Sequence, residues 1–287
     1  MFKFCFPSLL LVIVTTGFSF TDSSVDHQEP VPKPVPSATP PPAAPRTVQI
    51  LLGADADVLV ENSDGKRTGL DFKSGKFVDE IPGARVISAE GSSTYILPFD
   101  KSGKPYKVSV TGKSSTPVTA DLSMTGPGFV VGFRGLTLVS RQVHMMGIAS
   151  NGLHLWFTAN QDGSTPQLFL TSQSGRGKPS YRFEVNLSLL EAGKTVTIDL
   201  NADKGWLYFK SDDVKNDSFT VMMRRTNPGG ARDVFTHQDI SFSRTNSYAM
   251  DFGQWDGKSD VCFYLASDLN SAEKKQCTKL RNDSPTK

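Results

Sequence analysis

From Thr47 onward, apolar residues recur at every second position in short runs that Gly, Asn, Asp, Ser and Pro separate. Residues 57–61 and 195–200 are examples of such runs. Successive side chains of a strand point to opposite faces of a sheet, so this period predicts half-buried β-strands. Only residues 187–192 and 271–280 have a helical pattern, and neither segment could cover a sheet. The sheets must therefore cover each other, which predicts an all-β fold built of β-sandwiches.

The strand pattern is interrupted near Gly126, where Gly-Pro-Gly divides it into two unequal parts. We expect a small Ig-like β-sandwich at residues 47–125 and a larger sandwich, Ig-like or jelly-roll-like, at residues 126–267. Residues 268–287 are expected to form a C-terminal tail with a short helix. A chain of 287 residues is long enough for two such domains.

The first 46 residues do not share the strand pattern. Residues 1–20 contain Lys3, an apolar run at residues 9–14 and small or polar residues around Gly17, which is the layout of a secretory signal peptide. The run is shorter than the roughly 20 apolar residues of a spanning helix. We expect cleavage and no membrane span afterwards; retention as an anchor is the alternative. Residues 21–46 form a proline-rich linker, which is semi-rigid and extended.

Export predicts a secreted, periplasmic or cell-surface protein, in a compartment where disulfides form. Cys5 would leave with the signal peptide, whereas Cys262 and Cys277 would remain. These two cysteines either pair as a disulfide or remain as free thiols. The charge of the chain argues against a nucleic-acid partner, because its 31 Lys and Arg are balanced by 29 Asp and Glu, and both signs are scattered along the sequence.

Residues 57–69 read DVLVENSDGKRTG, with a turn at Asn62–Gly65, and are followed by Ser-Gly-Lys at 74–76 and Glu-Ile-Pro-Gly-Ala at 80–84. Together with residues 95–98 and 106–112, this pattern resembles a small Ig-like β-sandwich module of exported bacterial multidomain proteins. The resemblance covers residues 48–123. It implies an extracellular or envelope setting and an adhesive or spacer role, with no fixed activity.

Aromatic residues are the candidate ligand-binding side chains. Trp156, Trp206 and Tyr208 alternate with core positions of their strands, and Trp255 lies in a loop flanked by glycines. Flat rings exposed on a sheet stack on sugars or on partner side chains, whereas the alternative is packing in the core or at its rim.

Two groups of residues are candidate metal ligands. The carboxylates of Asp55, Asp57 and Asp64 could bind Ca²⁺ through oxygen, although their spacing is not that of an EF-hand and aspartate is also a common turn residue. His144 and His154, with the intervening methionines, offer the imidazole and thioether groups that bind copper.

The sequence has no convincing G-x-S-x-G, S-x-x-K or H-E-x-x-H motif. We therefore expect an exported non-enzymatic binding or structural, adhesive protein of the cell envelope or extracellular space. Its partner would be an envelope protein or a polysaccharide. The alternative is a carbohydrate-binding module or a carbohydrate-active enzyme. In the enzyme, acidic residues near the aromatic side chains, such as Asp203 and Asp212, would be the catalytic carboxylates.

Overall fold

The computed structural model describes residues 46–53, 56–89, 92–100, 102–162, 164, 166–172, 177–187, 190–212, 218–241, 247–265 and 277–284. The predicted signal peptide, residues 21–45 of the predicted linker, and Asp55 lie outside the described residues. So do residues 271–276 of the predicted C-terminal helix.

The described residues form strands and no helix, which confirms the predicted all-β fold. Within these residues there is consequently no helix of the length and apolarity that crossing a membrane requires. The strands, in chain order, are β1 (Thr47–Leu52), β2 (Ala56–Glu61), β3 (Arg67–Asp71), β4 (Lys76–Asp79), β5 (Arg85–Ala89), β6 (Ser92–Pro98), β7 (Pro105–Gly112), β8 (Val118–Gly126), β9 (Phe129–Leu138), β10 (His144–Ala149), β11 (His154–Thr158), β12 (Gln167–Ser172), β13 (Ser180–Leu187), β14 (Thr195–Asn201), β15 (Trp206–Ser211), β16 (Ser218–Thr226), β17 (Arg232–Ser241), β18 (Ser247–Asp251), β19 (Val261–Leu265) and β20 (Thr278–Leu280).

Turn chemistry fixes where the first hairpin of the chain closes. The side-chain oxygen of Asn62 accepts hydrogen bonds from the backbone N–H groups of Asp64 at 3.0 Å and Lys66 at 2.9 Å. Gly65 has a φ of 75°, a backbone conformation that is strained for most residues with a side chain. The predicted turn therefore lies between β2 and β3, and it sets their register.

The strands form two antiparallel sheets. The smaller sheet has nine strands in the order β17-β16-β13-β12-β9-β8-β1-β6-β5, and the larger has eleven in the order β20-β19-β18-β15-β14-β11-β10-β7-β2-β3-β4. From β8 onward, successive hairpins alternate between the sheets. Hairpins β8–β9, β12–β13 and β16–β17 lie in the smaller sheet, and β10–β11 and β14–β15 lie in the larger.

The inner faces of the two sheets share one hydrophobic core. Phe133 of the smaller sheet meets Phe157 of the larger with ring centroids 6.2 Å apart, and Phe219 meets Phe209 at 5.2 Å. Loss of this apolar surface from water is the main favourable term that holds the sheets face to face. The architecture is therefore that of a β-sandwich, as the sequence predicts.

Strands on both sides of the predicted domain boundary lie in both sheets. The boundary at Gly126 falls at the end of β8, just before the turn to β9, and these two strands pair with each other along most of their length. By the density of its contacts, the segment Ala44–Lys287 is a single compact unit. The two parts distinguished in the sequence therefore share their sheets in this structure.

At the residues that the structure describes, neither of the two predicted helical segments is helical. Leu187 ends strand β13, and Leu190 forms an isolated bridge with Ser164. Residues 278–280, where the end of a helix was expected, are strand β20, which pairs with β19. A helix of so few residues gains little by itself, whereas an added strand satisfies its backbone groups on an existing sheet.

The C-terminal segment is held at two points. Cys262 of β19 and Cys277 form a disulfide, as one of the two alternatives predicted. Beyond β20, the N–H of Asp283 donates to the carbonyl oxygen of Thr236 at 2.8 Å, and Thr236 N–H donates to the side-chain oxygen of Asn282 at 3.2 Å. The last described residues thus cover the outer edge of β17, which would otherwise offer unpaired backbone groups.

Candidate functional site

The outer face of the larger sheet carries three of the four aromatic residues predicted to bind ligand. Leu155 and Phe157 are completely buried in the core, which directs Trp156 to the outside of β11. Leu207 and Phe209 are buried in the same way, and this directs Trp206 and Tyr208 to the outside of β15. Each of the three aromatic side chains is half-buried.

A fourth aromatic residue, Tyr264, joins this face from β19. The rings of Trp206 and Tyr208 stack with centroids 6.4 Å apart, and Trp206 meets Tyr264 at 5.2 Å. Ala249 lies between Tyr208 and Tyr264 in the register, where its small, fully buried side chain leaves room for the rings. We call Trp156, Trp206, Tyr208 and Tyr264 the aromatic face.

Trp156 lies against the sheet because its neighbour is a glycine. Gly147 is the register partner of Trp156 on β10, and a Cβ atom at Gly147 would lie 1.9 Å from Trp156 Nε1. The indole therefore occupies the space above Gly147, and one ring face is turned to the backbone. Any larger residue at position 147 would displace the indole.

A polar cavity of about 510 Å³ adjoins the aromatic face. It opens where the turn between β10 and β11 meets the turn between β14 and β15. Tyr208 forms part of its wall, and the polar side chains that line it are Asn151, His154, Asp199, Asn201 and Asp203. The cavity thus combines one aromatic ring with carboxylate, amide and imidazole groups.

His154 and Asp199 are register partners on β11 and β14, and their side chains form a hydrogen bond with 2.5 Å between Nδ1 and Oδ1. The hydrogen bond to Asp199 raises the pKa of His154, against the opposing effect of burial. Burial and the charge of Asp199 raise the pKa of the Tyr208 hydroxyl. The pair fixes the imidazole at the mouth of the cavity and presents the carboxylate beside Tyr208.

A second carboxylate lies within the aromatic face. Asp251 is the register partner of Trp206 on β18. Burial raises the pKa of the Asp251 carboxyl, and burial together with the charge of Asp251 raises the pKa of the Tyr264 hydroxyl. Acceptor oxygens therefore stand beside the rings at two points, Asp199 and Asp251.

As far as the structure describes it, the cavity wall has only part of the arrangement of a hydrolytic triad. His154 has the carboxylate partner that orients a catalytic histidine. The described residues of the cavity wall, however, include no serine, threonine or cysteine that could act as the nucleophile. A flat ring with hydrogen-bonding groups beside it is the combination that holds a hydroxyl-rich, flat-faced ligand.

Trp255 is not part of the aromatic face. Its side chain is 4 % exposed, lies edge-on to Phe235, and donates from Nε1 to the carbonyl oxygen of Ser259 at 2.9 Å. The Arg225 guanidinium covers its ring at 5.3 Å from the centroid. Trp255 therefore packs in the core, which was the alternative predicted for these aromatic residues.

The aspartates predicted to bind Ca²⁺ lie near the first hairpin. Asp57 is in β2, Asp64 is exposed in the turn that follows, and Asp55 lies outside the described residues. Over the part of the chain that the structure describes, no three His, Cys, Asp or Glu side chains are grouped so that they could hold a metal ion.

The two histidines considered as copper ligands are separated by the hairpin that contains them. Strands β10 and β11 do pair, but His144 lies at the opposite end of the ladder from His154. His144 is buried in the core, where its ring stacks on Phe157, whereas His154 faces outward. A shared metal site is therefore excluded for these two residues.

Sequence reasoning missed Tyr264, Asp199 and Asp251. Tyr264 follows buried Phe263, so the alternation alone could have assigned it to an outer face. No sequence signal shows that β19 lies two strands from β15, and this placement is what brings Tyr264 to Trp206.

Comparison of the chain with protein-family models, with curated proteins and with solved structures finds no match to any of them.

Proposed function

We propose that this chain is a non-enzymatic binding protein of the cell exterior, and that its aromatic face binds polysaccharide. The observation that carries the proposal is the convergence of Trp206, Tyr208 and Tyr264 on one outer face, beside the polar cavity. None of these residues is needed there to close the core, which the opposite face of each strand already fills.

The chemistry of a sugar ring matches this surface. The axial hydrogens of a pyranose form an apolar patch that stacks on an indole or phenol ring, and its hydroxyl groups need hydrogen-bond partners at the edge. Tyr208 would supply a ring, and Asp199, Asn201 and Asp203 would supply the edge partners at the cavity. Further along the face, Trp206 and Asp251 would repeat the same combination for another sugar of the chain.

The setting of the proposal is the exterior of the cell. It rests on the signal-like residues 1–20 and on the resemblance of residues 48–123 to a module of exported proteins. The Cys262–Cys277 disulfide supports it, because structural disulfides are rare in reducing compartments.

Binding to a panel of immobilised polysaccharides tests the proposal. Trp206→Ala and Tyr208→Ala should each weaken binding about tenfold, the loss expected when a stacked ring is removed. Phe77→Ala is the matched control, since Phe77 is 57 % exposed on edge strand β4 of the same sheet and lies outside the aromatic face.

Equal binding by all three variants would overturn the proposal, as would the absence of any polysaccharide ligand. Release of reducing ends from a bound polysaccharide by the wild-type protein would favour the carbohydrate-active enzyme instead. Loss of that activity in Asp199→Asn and Asp203→Asn would then place the chemistry in the cavity.

A further inference from the structure

Three arginines converge on the outer face of the smaller sheet, on the side of the protein opposite the aromatic face. Arg182, Arg224 and Arg232 belong to the adjacent strands β13, β16 and β17. Together they line a cavity of about 210 Å³. The hydroxyl-bearing side chains in the same wall are Thr171, Ser180, Tyr181 and Thr226.

Two of the three arginines lie directly opposite each other on neighbouring strands. Arg182 and Arg224 are direct register partners, and like charges at such positions destabilise a sheet. Arg232 is the register partner of Thr226, one strand further out and two positions along. An anion between the guanidinium groups would turn this repulsion into attraction.

Among the described residues, carboxylates of the protein neutralise only one of the three arginines. Glu184 accepts from Arg182 Nε at 2.5 Å and so pairs with one arginine. Asp233, the nearest carboxylate on β17, is bound by Arg225 at 2.8 Å. Among the described residues, neither Arg224 nor Arg232 forms an ion pair with a carboxylate.

Two buried polar atoms of the cavity residues have no hydrogen-bond partner among the described residues. Thr171 Oγ1 and Arg182 Nη2 are shielded from solvent and make no hydrogen bond to any described residue. A buried donor without a partner costs free energy, so a site that retains two such atoms beside two unpaired arginines is organised for an acceptor. The Arg182 guanidinium is also fixed over the Phe169 ring, 5.1 Å from its centroid, which presets its orientation.

We propose that this cavity binds a phosphate group. A phosphate monoester offers three acceptor oxygens and close to two negative charges, which match the planar guanidinium forks of Arg182 and Arg224. Arg232 would contribute charge from the cavity rim, and the hydroxyls of Thr171, Ser180 and Thr226 would bond to the remaining oxygens. The volume is that of about seven liquid waters, enough for one such group and a few water molecules.

Titration calorimetry with inorganic phosphate at constant ionic strength tests this proposal. The wild-type protein should bind one phosphate, and Arg224→Gln should weaken the affinity about tenfold or more. Arg85→Gln is the matched control, because Arg85 is an exposed arginine on β5, the opposite edge strand of the same sheet. Its affinity should equal that of the wild type.

Two further ligands distinguish between the possible carriers of the phosphate group. They are glucose 6-phosphate and vesicles that contain phosphatidic acid. Binding of either one that Arg224→Gln weakens supports the proposal and identifies a sugar phosphate or a lipid headgroup as the carrier. The absence of binding by all three probes would overturn it. Equal weakening by Arg85→Gln would also overturn it, since that result indicates attraction by net charge alone.

Loss of phosphate binding in these variants would not be explained by a loss of folding. Removing one of two opposed cations should leave the melting temperature without phosphate unchanged or higher. Arg232→Gln, at an exposed position, provides a second variant and should weaken phosphate binding in the same direction.

Discussion

His144 makes the stability of the folded chain depend on pH in a way that one substitution can remove. Its side chain is 1 % exposed, and its ring stacks on Phe157 with centroids 6.0 Å apart. Its Nδ1 accepts from the N–H of Asn160 at 3.4 Å, and its buried Nε2 has no hydrogen-bond partner among the described residues. Burial lowers the pKa of His144 from 6.5 to about 4.

The sign and size of the effect follow from these pKa values. Between pH 6.5 and about 4, the unfolded chain binds a proton at His144 that the folded chain does not. The free energy of unfolding therefore falls as the pH falls through this window. A difference of about 2.5 pKa units corresponds to roughly 3 kcal/mol in total, of which about 2 kcal/mol is lost between pH 7 and pH 5.

Urea unfolding of the wild type and of His144→Phe, each at pH 7 and pH 5, measures this contribution. Phenylalanine preserves a ring beside Phe157 and cannot bind a proton. The variant should lose about 2 kcal/mol less than the wild type over this interval. An identical loss in the two proteins would refute the reasoning.

His154 provides a control of opposite sign. Asp199 raises the pKa of His154, so its contribution to stability is complete below pH 6.5 and is lost as the pH rises through the folded-state pKa. His154→Gln should therefore lose more stability than the wild type on acidification.

Three further variants test what stabilises the sandwich. Replacing both Cys262 and Cys277 with serine should lower the free energy of unfolding by about 3 kcal/mol, because the cross-link closes a loop of 15 residues. The urea midpoint measures this loss. An unchanged midpoint would mean that the disulfide restrains only the chain end. Gly132→Ala should cost about 1–3 kcal/mol by the same assay, because its Cβ would lie 1.9 Å from the carbonyl oxygen of Leu122 on the neighbouring strand. Gly229→Ala, with no atom within 4 Å of its Cβ, should have little effect, and a similar loss at both glycines would contradict this explanation.

Period-two alternation predicted many of the strands that have one buried face and missed some of those that do not. Strand β14 alternates buried and half-buried residues from end to end, and its bounds are nearly those expected. Strand β4 has no buried residue, because it lies at the edge of the larger sheet, and β10 has a continuous buried run from Met146 to Ala149. Neither pattern has the period of two, so both strands escape this kind of prediction.

Only those features of the candidate site that depend on the alternation within a single strand could be predicted from the sequence. The outward direction of Trp156, Trp206 and Tyr208 follows from their buried neighbours. Trp255 could not be assigned in this way, since its loop has no alternation and its burial depends on contacts with Arg225 and Phe235. Which residues meet across strands depends on register and sheet order, which are fixed by the packing of the whole chain.

The alternation of hairpins between the two sheets has a consequence for the order in which the molecule can form. From β9 onward, each strand pairs on its inner side with a strand that precedes it in the chain, as β12 does with β9 and β14 with β11. A nascent chain can therefore add each hairpin to a template that has already been synthesised. Asn282 and Asp283, among the last residues that the structure describes, would join last, because they bond to Thr236 of the already formed strand β17.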